Sequence, residues 1–156
     1  MDGPTPTIAD LLAREHRRLD DLFGRFLASA DRETAARAIA DFDEALRLHT
    51  ALEEEHVFPA APEGKLVAQA GESERDRLFR ELRLEHVQIR ELSGMIVRQL
   101  GEKGGDPAAA RGLAASLARR WDAHTEREER EAHPLVSDFL DPAGEAALRK
   151  TLEPES

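Results

Sequence analysis

Apolar residues recur every three or four positions along four stretches of this chain, and none of them alternates apolar with polar as a strand does. The first stripe is Ile8, Leu11, Leu12, Leu19, Leu22, Phe23 and Phe26, with Glu15-His16 set into it. It predicts a helix over about 7–28, with Thr5 or Thr7 as cap and Pro6 as a first-turn residue. Asp31 caps a second helix carrying Ile39, Phe42, Leu46, His49, Leu52 and Glu53 until Pro59 stops it. Residues 59–72 read as a loop, with room for a short helical turn at 66–70. Ser73 caps a third helix through Leu78, Phe79, Leu82, His86, Ile89, Ile96 and Leu100, broken by Gly101 and Gly104-Gly105. Asp106-Pro107 opens a fourth with Leu113, Leu117, Trp121, His124 and Glu128, bending or ending near Pro134. Asp141-Pro142 starts either a short last helix to about Leu152 or a frayed tail.

Short connections between long helices predict an all-α fold, an antiparallel up-down-up-down four-helix bundle with that short C-terminal helix or tail. The second half of the chain repeats the first. His49 is followed by Glu53-Glu54 at four and five residues and by Pro59 at ten, and His124 by Glu128-Glu129 and Pro134 at the same distances. Each copy is preceded by a Glu-His pair, Glu15-His16 and Glu85-His86. Counted from the helix ends at about 1.5 Å per residue, His16 and His49 fall within roughly 6 Å of one level, as do His86 and His124. Two helical hairpins related by a pseudo-twofold would therefore bring all four histidines into one layer.

Composition narrows the chemistry. The chain has 156 residues, enough for one domain with its own core. It has no cysteine, which excludes disulfides, iron–sulfur clusters and thiol catalysis, and no tyrosine, which excludes a phenol acid or tyrosyl radical. A net charge of −10 argues against nucleic acid as a partner, because phosphate contacts need a basic face. The start lacks a basic, then apolar, leader pattern, and no apolar run reaches membrane-spanning length, so the expectation is a cytoplasmic protein without a membrane partner.

HisxxxGlu on a helix puts both side chains on one face, one turn apart. With the histidine of the neighbouring helix, each half offers two imidazoles and one carboxylate, a donor set typical of open non-haem iron sites. Two such sets facing each other can hold two metals, His16, His49, Glu53, His86, His124 and Glu128 supplying the ligands and the two glutamates bridging. The donors suit iron or manganese, then zinc. The bland alternative, core histidines and a solvated HisxxxGlu, would leave several buried charges without partners in a core.

In these residues the chain resembles the hemerythrin-like family, the HHE cation-binding domains. The resemblance rests on Glu15-His16, His49-xxx-Glu53-Glu54 with Phe58-Pro59, Glu85-His86, and His124-xxx-Glu128-Glu129 with Pro134. It covers about 7–140, the bundle of a single domain spanning 1–156, with 141–156 as tail. It implies a non-haem di-iron centre: His16 and His49 on one iron, His86 and His124 on the other, Glu53 and Glu128 bridging, and an oxo, hydroxo or water ligand completing it. Iron ranks ahead of manganese and zinc. Oxygen-carrying members have a further histidine four residues from the one on the third helix, whereas Leu82 and Arg90 stand four either side of His86. Their last carboxylate follows its histidine by five residues, and here the spacing is four. The resemblance thus points to a catalase-like, or nitric-oxide- or oxygen-reactive, di-iron oxidoreductase taking peroxide, O2 or NO as small ligand, its electron donor unidentified. The alternative is a module that senses or stores O2 or iron without turnover.

Other polar residues have weaker expectations. His56, seven after His49, is either a fifth ligand or a donor behind one, though its counterpart is Glu131. His133 falls half a turn off the metal face by helical counting and reads as a surface or capping residue. Asp20 either orients an imidazole or forms a surface ion pair. Trp121 packs the core or walls the pocket. Glu54 and Glu129 read as solvated, and Glu15 and Glu85 as flank residues able to reach a neighbouring helix.

Overall fold

The computed structural model describes residues 4–61, 73–101 and 105–153; the loop expected at 59–72, with its turn at 66–70, lies largely outside them. The described residues are helical, with no strand among them. Four long helices, α1 (Ile8–Leu27), α2 (Arg32–Leu52), α3 (Glu74–Gly101) and α4 (Pro107–Arg127), are followed by the short α5 (His133–Ser137) and by α6 (Pro142–Leu152). Each start has a physical cause in the sequence. Thr7 accepts from the Asp10 N–H while Asp10 accepts from the Thr7 N–H, a reciprocal cap. Asp31, Ser73, Asp106 and Asp141 each accept a backbone N–H of the following turn. Before α4, a Cβ on Gly105 would stand 1.8 Å from the Gln99 carbonyl oxygen, so the turn there requires glycine.

The α2 helix does not simply stop at Pro59. Its α-helical part ends at Leu52 and continues as a π turn, Glu53–Val57, and a 3-10 turn, Phe58–Ala60. The second half matches it: α4 gives way to a π turn, Glu128–Ala132, leading into α5. The Phe58 N–H bonds the Glu53 carbonyl and the His133 N–H bonds the Glu128 carbonyl, five residues back in both cases. Pro59 and Pro134 come next. Each lacks an N–H and crowds the carbonyl four residues earlier, which an α-helix cannot accommodate and a widened turn can.

Two apolar clusters fill the interior. One gathers Leu19, Phe23, Ile39, Phe42, Leu46, Ile89, Ile96, Leu117 and Trp121. The other gathers Leu12, Val57, Phe58, Phe79, Leu82, Ala132, Val136 and Leu148. Leu148 brings α6 into the second cluster, and Arg149 donates to the Pro6 carbonyl, so residues 142–152 are a docked helix and not a frayed tail. Consecutive long helices contact one another, α1 with α2, α2 with α3 and α3 with α4. A Trp121 indole N–H donating 2.7 Å to Asp20 joins α4 to α1. No helix among the described residues is long and apolar enough to cross a membrane.

Candidate metal centre

On all four long helices a polar layer separates the two apolar clusters. Along α1 His16 lies between Leu12 and Leu19, and along α3 His86 lies between Leu82 and Ile89, the first neighbour in one cluster and the second in the other. In the other two chain segments, His49 and Glu53 follow Leu46 and precede Val57, and His124 and Glu128 follow Trp121 and precede Ala132. The six side chains picked out by spacing are all buried, none more than 2% exposed.

They converge. His16, His49, Glu53 and Glu128 place one donor atom each within 4.8 Å of one another, and so do Glu53, His86, His124 and Glu128. The two carboxylates belong to both groups. Glu53 Oε1 stands 2.8 Å from His49 Nε2 and 3.4 Å from His86 Nε2. Glu128 Oε1 stands 3.1 Å from His16 Nε2 and 3.0 Å from His124 Nε2, with Oε2 at 3.5 Å from His86 Nε2.

The orientation of the rings shows what these atoms are arranged for. His49 Nδ1–H donates to Glu15 at 2.8 Å, His124 Nδ1–H to Glu85 at 2.7 Å, and His86 Nδ1–H to Glu54 at 3.3 Å. A carboxylate only accepts, so these bonds keep a proton on Nδ1 and point Nε2 inward. His16 Nδ1 faces Glu129 at 3.8 Å, too long for a hydrogen bond. The outer carboxylates run round the centre in one sense: α1 supplies the Glu for α2, the first π turn for α3, α3 for α4, and the second π turn faces α1. Glu15 and Glu85 do reach a neighbouring helix. Glu54 is only partly solvated, because Arg90 holds it at 2.8 Å against His86.

Inside this ring the Nε2 atoms of all four histidines, Glu53 Oε1 and both Glu128 oxygens are buried without a hydrogen-bond partner. Buried polar atoms are rarely orphaned, and a cation held among these would give them partners. Imidazole nitrogens and carboxylate oxygens fit iron, manganese or zinc.

Without a metal, three of the imidazoles, those of His49, His86 and His124, hold their protons more tightly than a free ring. Burial pulls the His49 imidazole down, but the charge of Glu53 and the hydrogen bond to the Glu15 carboxylate outweigh it and raise its pKa to about 10. Burial likewise disfavours the charged His86 ring, and the carboxylates of Glu128, Glu53 and Glu54 outweigh it, raising it to about 11. His124 is raised too, burial opposing and the Glu128 charge prevailing. Glu53 and Glu128 are held well below the usual carboxylate range, burial and, for Glu128, the neighbouring Glu53 charge being overcome by the surrounding imidazoles.

The fifth imidazole at the centre is His133 and not His56. His56 is exposed, and Glu55 stands 4.0 Å from it. His133 is fully buried and its Nε2–H donates 3.0 Å to Glu53 Oε2. Helical counting misplaced it because the π turn inserts about one extra residue, bringing the nine-residue offset from His124 back to roughly 80° from the metal face. Trp121 is both core and wall: its ring packs 5.6 Å from His16 and 6.2 Å from His124, and its N–H takes up the Asp20 carboxylate, which orients no imidazole. Phe58 stacks on His86 from the other side at 5.6 Å.

A family model, the hemerythrin HHE cation binding domain, matches residues 7–136. No curated protein and no solved structure matches the chain.

Proposed function

The chain belongs to the hemerythrin HHE cation-binding domain family, and on that premise we propose that its buried layer is a di-iron centre that reacts with a small ligand: peroxide, O2 or NO. The observation that carries this reading is the pair of four-donor groups sharing Glu53 and Glu128. In it, His16 and His49 serve one position, His86 and His124 the other, and the two glutamates bridge, within an antiparallel up-down-up-down bundle. Four protein donors per position fall short of the six that iron accepts, which leaves room for a ligand of a few atoms.

When bound, iron supplies the electron transfer. The chain's own residues hold, orient and seclude it. Glu15, Glu54 and Glu85 fix the imidazole tautomers through Nδ1. Trp121, Phe58 and the leucines above and below exclude bulk water, so that charge in the layer is felt strongly. Arg90 is committed to Thr50 and Glu54, so the place where an oxygen carrier has its additional imidazole supplies no ligand. That favours turnover over reversible carriage.

The test is rapid mixing of the anaerobically reduced, iron-loaded protein with O2 and with NO, alongside peroxide consumption by the oxidised protein. The reading expects fast oxidation and measurable peroxide loss. A stable, reversible O2 adduct with no peroxide loss would replace it with O2 storage or sensing.

A further inference from the structure

The pseudo-twofold is broken at one position next to the centre. Counted from the HisxxxGlu motifs, Phe58 and His133 are equivalent, each following its bridging glutamate by five residues and preceding a proline. The π turns deliver them alike. Each backbone N–H closes the π bond to its glutamate's carbonyl, and each ring lies against the histidine of a Glu-His pair, Phe58 on His86 and His133 on His16 at 5.2 Å. One ring is apolar, and the other carries an N–H donor fully buried in the layer.

The difference falls on the carboxylates. His133 Nε2–H holds Glu53 Oε2 at 3.0 Å, so Glu53 turns a single oxygen, Oε1, toward both His49 and His86. Glu128 meets no such donor. Both its oxygens are unpartnered and both face imidazoles of the cluster, Oε1 beside His16 and His124 and Oε2 beside His86. The position beside His86 and His124 is therefore offered both oxygens of Glu128. The position beside His16 and His49, on the side where His133 packs, is denied the second oxygen of Glu53.

We propose that His133 is a positioning residue that restricts Glu53 to one ligating oxygen, making the two metal positions unequal so that the His86/His124 position fills first. This rests on the two-metal reading above. A hydrogen-bonding partner behind a ligand typically changes metal affinity about 10- to 100-fold, which sets the expected gap between the two binding steps.

The experiment is an anaerobic titration of the metal-free full chain with cobalt(II), followed by calorimetry and visible absorption, with thermal melting to check folding. The wild type should take two equivalents in steps at least about tenfold apart. His86→Ala should remove the tighter step and His16→Ala the weaker. His133→Phe, which copies the Phe58 side, should tighten the weaker step and bring the two together. His133→Gln, whose amide keeps a donor, should preserve the gap. Should His133→Phe fail to fold, Phe58→His tests the same idea from the other half, giving Glu128 a donor and closing the gap by weakening the tighter step. Equal steps in the wild type, or a gap unchanged in His133→Phe or, in its place, Phe58→His, would overturn the role of His133 while leaving the two-metal reading intact. A wild type that takes up no metal would overturn both.

Discussion

Metal loading should expel protons from this centre, and the number follows from the side chains. In the metal-free protein His49 keeps its proton up to about pH 10 and His86 up to about pH 11, while Glu53 and Glu128 stay ionised. At neutral pH two imidazoliums thus face two carboxylates. A metal takes imidazole only as the neutral ring, so at least two protons must leave as the site fills. Both folded-state pKa values lie above the ordinary 6.5. The stabilisation they give the metal-free fold is fully present below pH 6.5 and is lost as pH rises through about 10 and 11. Each imidazole contributes ~1.4 kcal/mol per pH unit, so the metal-free protein should lose roughly 3 kcal/mol per unit between pH 7 and 10. The loaded protein, whose rings are already neutral, escapes that loss. The product of the two metal association constants should accordingly rise about 100-fold per pH unit over the same window. Calorimetric titration with iron(II) under anaerobic conditions, in two buffers of different ionisation enthalpy at pH 7.5, counts the protons directly. Release of fewer than one proton, or an overall affinity that is flat between pH 7 and 9, would refute the reasoning.

Three further outcomes follow from the same contacts. Glu15→Ala and Glu85→Ala, which free Nδ1 of His49 and His124, should each weaken metal binding about 10- to 100-fold in competition with a chelator while the helical content by circular dichroism stays unchanged. Trp121→Phe keeps a ring beside His16 but removes the donor to Asp20, and should lower stability in urea unfolding by about 1–3 kcal/mol; no loss would show that the α1–α4 link is dispensable. Metal removal should lower the melting temperature, since metal binds the folded arrangement alone, and equal melting with and without chelator would contradict a core site.

The helices and the six converging positions were legible for physical reasons. Apolar residues at helical spacing report which face is inward, Thr7, Asp31, Ser73, Asp106 and Asp141 announce helix starts, and a repeated His-xxx-Glu states its own importance by recurring at the same spacing. What failed was angular counting beyond Glu53 and Glu128. A wheel of 3.6 residues per turn carries a helix through residues 53–57 and 128–132, where the chain widens to π turns, and it therefore put His133 on the wrong face. The signal was available: a proline ten residues after each histidine, twice, cannot be satisfied by an unbroken α-helix. Glu54 was misjudged for another reason. Its partial burial comes from Arg90 and His86 on α3, and no pattern within residues 49–59 carries that information. His56 looked eligible by its seven-residue offset and is exposed for the same kind of reason that His133 is not, the change of pitch after each glutamate, Glu53 and Glu128.

The central claim is that six side chains from two repeated motifs hold two metals in one buried layer, and metal quantification on protein produced in iron-rich medium tests it most directly. The account predicts two irons per chain, one for each donor group sharing Glu53 and Glu128, with iron content halved or worse in both His49→Ala and His124→Ala. A reproducible content near one that survives His124→Ala, or no bound metal at all, would contradict it.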